Sequence, residues 1–96
     1  MTDKELLEKA KKWMRISGGM VDDEVEQTIA ASILDMQNAG VKNTNKEDPL
    51  IQQAIKLYCK GQSGYDPDAP KFQVAYEHLK MALALSRDYN GGGVSG

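Results

Sequence analysis

Asp48-Pro49 opens the segment that most restricts what this chain can become. An aspartate can accept from the orphan amides of a helix start, and a proline fits the first helical position, where no N–H is needed. The residues that follow, from Leu50 to Lys60, then predict a helix. At about 100° per residue, Leu57, Leu50, Ala54, Tyr58, Ile51, Ile55 and Cys59 cover an arc of about 180°. Gln52, Gln53, Lys56 and Lys60 fill the other side. A helix that is apolar over half its circumference needs neighbours on several sides, which makes it the expected centre of a helical domain.

Three further helices are predicted around it. The first runs over 3–14, with Thr2 or Asp3 as N-cap and Leu6, Ala10 and Trp13 recurring at one-turn spacing beside Leu7 and Met14; Ser17-Gly18-Gly19 ends it. The second runs over 23–38, opened by Asp22 or Asp23, with Val25, Ile29, Ile33 and Met36 as its core stripe and Gly40 as its stop. The third is the central helix, over 49–60. The fourth runs over 70–86, with Phe72, Ala75, Tyr76, Leu79 and Leu83 facing inward. No strand alternation, internal repeat or sustained heptad run is present. The expected fold is all-α, a small four-helix domain over 1–88. The polar, unperiodic 41–47 segment is expected to be a mobile loop, and 89–96 a flexible Gly-rich tail that keeps Tyr89 and Val94 as anchors.

Helix four also carries Val74, Met81 and Leu85, roughly 160–180° from its inward stripe, with His78 beside them. At 96 residues the chain is a single small domain that buries about 60–65% of its unfolded surface. Such a domain does not easily bury both sides of a terminal helix. Val74, His78, Met81 and Leu85, with Leu34 on the outer side of helix two and Tyr89 in the tail, are therefore the candidate oligomer or partner surface. The alternative, a last helix sandwiched between two others, carries equal weight on sequence alone.

Chemistry finds little to use. His78 is the sole histidine and Cys59 the sole cysteine, so no zinc spacing exists and no internal disulfide can form. Asp66 and Asp68 lack the later glycine and bidentate acid of a calcium loop, and read as turn and cap residues around Pro67. A Cys59–His78 nucleophilic pair is conceivable across adjacent helices, but Cys59 lies at the edge of an apolar arc, where free cysteine behaves as a small hydrophobe. Neither glycine cluster has the strand, loop and lysine of a phosphate cradle. No catalytic residue, cofactor site or metal site is expected. No apolar run approaches membrane-spanning length and no signal peptide is apparent, so cytoplasm is the expected compartment of synthesis.

Charge is uneven along the chain. The net charge of -2 is made of +2 over 1–20, -5 over 21–48 and +1 over 49–96. Overall acidity argues against a general nucleic-acid binder. A DNA-binding reading still has some basis: Lys9, Lys11, Lys12 and Arg15 surround Trp13, and two helices joined by a short turn suit a helix-turn-helix regulator. Gln52 and Gln53 are the base-reading side chains that its third helix could offer.

Taken in order, Leu6-Leu7-Glu8-Lys9-Ala10-Lys11-Lys12-Trp13-Met14-Arg15-Ile16, the acid opening Asp22-Asp23-Glu24, and Pro49-Leu50-Ile51-Gln52-Gln53-Ala54-Ile55-Lys56-Leu57-Tyr58 form a layout, completed by Gly64-Tyr65-Asp66, Phe72 to Leu85 and Asp88-Tyr89-Asn90. This layout resembles the phage head–tail connector family, the small helical adaptor or DNA-packaging proteins of long-tailed double-stranded DNA phages. The resemblance covers nearly the whole chain and rests on hydrophobic pattern and turn chemistry. It implies a structural virion protein at the head–tail interface, present in host cytoplasm during assembly, without enzymatic activity or cofactor. It also implies a ring of identical copies below the portal protein, extending the DNA channel and receiving a downstream connector or tail-completion protein. DNA would pass through without specific binding, and no membrane is involved. Within that expectation, Asp22, Asp23 and Glu26 are candidate channel-facing acids, and the tail from Tyr89 a candidate portal contact.

Overall fold

The computed structural model describes residues 3–15, 22–63 and 66–91. Four helices follow one another: α1 (Asp3–Trp13), α2 (Asp22–Asn38), α3 (Pro49–Gly61) and α4 (Ala69–Leu85). No strand occurs among the described residues. The all-α expectation holds, and each helix boundary falls within a residue of its predicted place.

Local chemistry explains those boundaries. Asp48 sits in an extended conformation, and its Oδ1 accepts from the Leu50 and Ile51 amides at 2.8 and 3.4 Å, with Pro49 in the first turn. At the end of α2, Gly40 takes φ +109°. The Val41 amide then donates to the Met36 carbonyl at 2.9 Å, and the Gly40 amide to Gln37 at 3.1 Å. That pair of reversed bonds is a Schellman closure, and Val41 behind it is fully buried. Asp66 and Asp68 are turn residues: Asp66 Oδ1 accepts the Asp68 amide at 2.9 Å, and the Asp68 carbonyl takes the Lys71 and Phe72 amides. α1 closes differently from expectation. Arg15 itself adopts the left-handed conformation, φ +58°, one residue past Met14; Thr2 and Ser17-Gly18-Gly19 lie outside the described residues.

α3 packs against all three other helices, as its broad apolar arc requires. The core joins Leu6, Ala10 and Met14 of α1 and its end, Val25, Ile29 and Met36 of α2, Ile51, Ala54, Ile55 and Cys59 of α3, and Tyr76 and Leu83 of α4. Trp13 and Ile33 are only half-buried, and Leu50 at the solvent end of α3 is 45% exposed. α4 leans chiefly on α3, and is tied to α2 by the Tyr76 hydroxyl, which donates to Asp35 Oδ2 at 2.7 Å. Lys80 Nζ reaches the same oxygen at 2.9 Å and pairs with Glu77 on its other side. The Tyr76 ring meets Tyr58 edge-on, 5.1 Å between centroids.

Two expectations about irregular segments change. The 41–47 segment, read as a mobile loop, is held at several points. Lys42 and Asn43 amides both donate to the Tyr89 carbonyl, at 2.6 and 3.0 Å. Gln52 Nε2 donates to the Lys46 carbonyl, and Lys46 Nζ pairs with Asp3 at 3.2 Å. The domain also does not end at residue 88. Tyr89 packs on the core and Asn90 Nδ2 donates to the Ala84 carbonyl at 3.2 Å, so the folded body extends past the predicted start of the tail. Residues 92–96 lie outside the described set.

Candidate functional site

The fold leaves α4 covered on one side only. Tyr76 and Leu83 are buried, Phe72, Ala75 and Leu79 half-buried, while Val74, Met81 and Leu85 are 56%, 60% and 81% exposed and His78 is exposed among them. Among the described residues, the sandwiched arrangement is absent. The reason lies in helix count: α3 is the partner of α4, and α1 and α2 occupy the remaining flanks of α3. The outer residues recur as Val74, His78, Met81 and Leu85, spacings of four, three and four, which form one continuous ridge along the helix.

Leu34, 57% exposed, belongs to a different surface. It stands at the edge of a groove of about 370 Å³ between α1 and α2. Leu6, Ile29, Ala30 and Ile33 contribute its apolar lining, and Asp3, Glu26 and Lys46 are among its polar residues. Leu34 and the outer stripe of α4, expected to offer separate faces to neighbours, are both exposed, and Leu34 lines a groove to which α4 contributes no residue. Asp35, next to it in sequence, points toward α4 through Tyr76 and Lys80.

Tyr89, also a candidate partner residue, is half-buried and bonded within the copy. Its hydroxyl lies 2.9 Å from both Asp48 carboxylate oxygens, and its carbonyl serves the 41–47 segment. Donation to Asp48 holds the phenol above its ordinary pKa. That side chain fastens the residues following α4 to the start of α3. No sequence signal announces this, because the acceptor is a cap aspartate already explained by α3.

The three candidate channel acids are also divided. Asp22 lies 2.8 Å from Lys11 Nζ and fastens α2 to α1; that contact raises the Lys11 pKa. Glu26 lines the groove beside Leu34. Asp23 is exposed at the start of α2, as is Glu24. The DNA-binding reading loses ground for the same reason, since Lys11 is spent on Asp22 and Glu8, and Trp13 packs on the core.

A nucleophilic pair is not assembled. Cys59 is fully buried, and burial pushes its thiol pKa up to about 12, whereas His78 stands exposed on the outer ridge. Among the described residues no cluster of three histidine, cysteine, aspartate or glutamate side chains could hold a metal ion. No helix among them is long and apolar enough to cross a membrane.

Among the described residues, the outer ridge of α4 and the Leu34 groove are exposed apolar features, and neither converges on a cluster of reactive groups. The phage connector protein family matches residues 6–90, nearly the whole chain, and the chain belongs to that family. Connector proteins are structural components of the phage particle. No curated protein and no solved structure matches the chain.

Proposed function

We propose that this chain is a head–tail connector that assembles as a ring below the portal, extends the DNA channel and receives the next connector or tail-completion protein after genome packaging. Family membership over residues 6–90 carries the reading. The two exposed apolar surfaces support it, because a subunit in a ring must offer one face to each of its neighbours. The site of action is the virion, reached by assembly in host cytoplasm. "DNA packaging" names the stage of assembly at which such a protein acts, with no motor activity implied.

The test is addition of purified full-length chain to DNA-filled, portal-bearing heads that lack it, followed by imaging of the vertex. Added density of rotational symmetry below the portal, and recovered ability to join tails, is the expected result. Heads that neither bind the chain nor gain tails would exclude the connector role.

A further inference from the structure

The turn that follows α4 depends on one carboxamide. Asn90 Nδ2 donates to the Ala84 carbonyl at 3.2 Å, satisfying an acceptor in the last turn of the helix. Its Oδ1 is buried and accepts from no group. That seat offers an acceptor and no donor. It suits an amide, which can donate, and opposes a carboxylate, which can only accept. The next residue is under equally narrow demands. Gly91 takes φ +99°, and a Cβ there would lie 3.2 Å from Lys42 Cγ, so conformation and packing both call for glycine. The fold therefore needs asparagine followed by glycine, and that pair is chemically unstable. Glycine has no Cβ to hinder approach of its amide nitrogen to the preceding Cγ, and among the described residues the Gly91 amide has no acceptor to hold it. Gly91 is also exposed, so water reaches the pair. Asn38, Asn43 and Asn45 are followed instead by Ala39, Thr44 and Lys46.

The structure assigns Asn90-Gly91 as a self-modification site, where the backbone converts asparagine to aspartate or isoaspartate and so releases the fastening after α4. The Gly91 nitrogen loses its proton and bonds to Asn90 Cγ. The Cγ–Nδ2 bond breaks, and Nδ2 takes up a proton and leaves as ammonia. Water then opens the resulting succinimide. Attack at Cγ gives aspartate, and attack at the main-chain carbonyl of residue 90 gives isoaspartate, with Cβ and Cγ now in the main chain. One water enters and one ammonia leaves, with no oxidant, cofactor or enzyme. The product adds one negative charge to a chain already at -2, next to Asp88. In the old seat that charge would face the Ala84 carbonyl and leave a buried oxygen unpaired. The acid therefore does not reoccupy the seat, and the change runs one way. Tyr89 precedes the site and its carbonyl holds the Lys42 and Asn43 amides, so loss of the Asn90 contact loosens the 41–47 segment as well.

The deciding experiment incubates the full-length chain in warm, mildly alkaline buffer. Each asparagine is followed by peptide mass, and by chromatography that separates aspartate from isoaspartate. Asn90 should convert at least ~10-fold faster than Asn38, Asn43 or Asn45. Asn90→Gln keeps a donor but would have to close a six-membered ring, and should show no conversion at that position. The converted fraction, separated by its added charge, should melt below the unconverted chain. Its Lys42 and Asn43 amides should exchange at least ~10-fold faster. Asn90→Asp should show the lower melting from the outset. Conversion at Asn90 no faster than at the other three asparagines overturns the assignment. So does a converted fraction that melts with the parent and keeps both amides protected, because the seat would then accept a carboxylate.

Discussion

One Asp48 carboxylate accepts from two α3 amides and from the Tyr89 hydroxyl. Tyr89→Phe should therefore lower the urea midpoint without changing helix content, and Tyr89→Ala should lower it further by removing packing as well; equal midpoints for Tyr89→Phe and the parent would contradict the bond's contribution. Asp35 shows how a single group sets a pH limit. Donation from Tyr76, the largest influence, and then pairing with Lys80 hold its carboxyl below the ordinary value despite partial burial. A depressed folded pKa means that the unfolded chain takes up the proton first as pH falls. The stability that Asp35 contributes is thus present above the unfolded value of about 3.9 and is lost as pH falls through the folded value. Unfolding measured from pH 5.5 down to pH 2.5 should show a shallower acid loss in Asp35→Asn than in the parent. Cys59 makes a third residue-level case, since its raised pKa and full burial predict labelling only through opening. Alkylation in native buffer should run at least ~10³-fold slower than in urea, matching a small unfolded fraction.

At the scale of the helix, Gly61 fixes how closely α3 and α4 approach. A Cβ there would lie 2.7 Å from Gln73 Cγ and 3.2 Å from its backbone nitrogen, while Gln73 Nε2 donates to the Gly61 carbonyl at 2.6 Å. Backbone cannot step aside cheaply, so Gly61→Ala should cost about 1–3 kcal/mol in chemical denaturation. Arg15 offers the opposite sign. Its left-handed φ of +58° is a conformation that a side chain opposes and glycine accepts. Arg15→Gly should stabilise the domain by about 0.5–1 kcal/mol after the extra freedom of the unfolded chain is subtracted; a loss of stability would show that the Arg15 side chain contributes more than its strain. Helices of this kind were readable in advance because caps and periodicity are local. Asp48-Pro49 and Gly40 mark ends by chemistry within a few residues, and the broad arc of α3 required it to be central. The 41–47 segment was not readable, since what holds it is a carbonyl at Tyr89, distant in sequence and typical of nothing in its own composition. Leu34 and the α4 ridge were recognisable as exposed from helical geometry alone. The groove beside Leu34 was not, because it depends on how α1 and the 41–47 segment pack against α2.

Across the whole molecule, these long-range ties place the C-terminal segment within the folded unit. Tyr89 joins the start of α3, the 41–47 segment and, through Asn90, the end of α4. The 41–47 segment in turn reaches α1 through Lys46 and Asp3. Ending the chain after Arg87 therefore removes more than a tail: the Lys42 and Asn43 amides lose their acceptor and the core loses an aromatic ring. In a domain this small, with a thin core, such a loss should show globally, as a lower melting temperature and greater exchange of amides in 41–47. Tyr89→Ala in the full chain should reproduce most of the drop in melting temperature but spare the 41–47 amides, because a backbone carbonyl at residue 89 remains. If the shortened chain instead melts with the parent, the C-terminal segment contributes nothing to the fold. Any failure of that chain to join heads would then report on docking alone. If it melts lower, as the geometry requires, loss of joining after the truncation cannot be assigned to a portal contact, and the exposed ridge of α4 becomes the surface on which assembly is better probed.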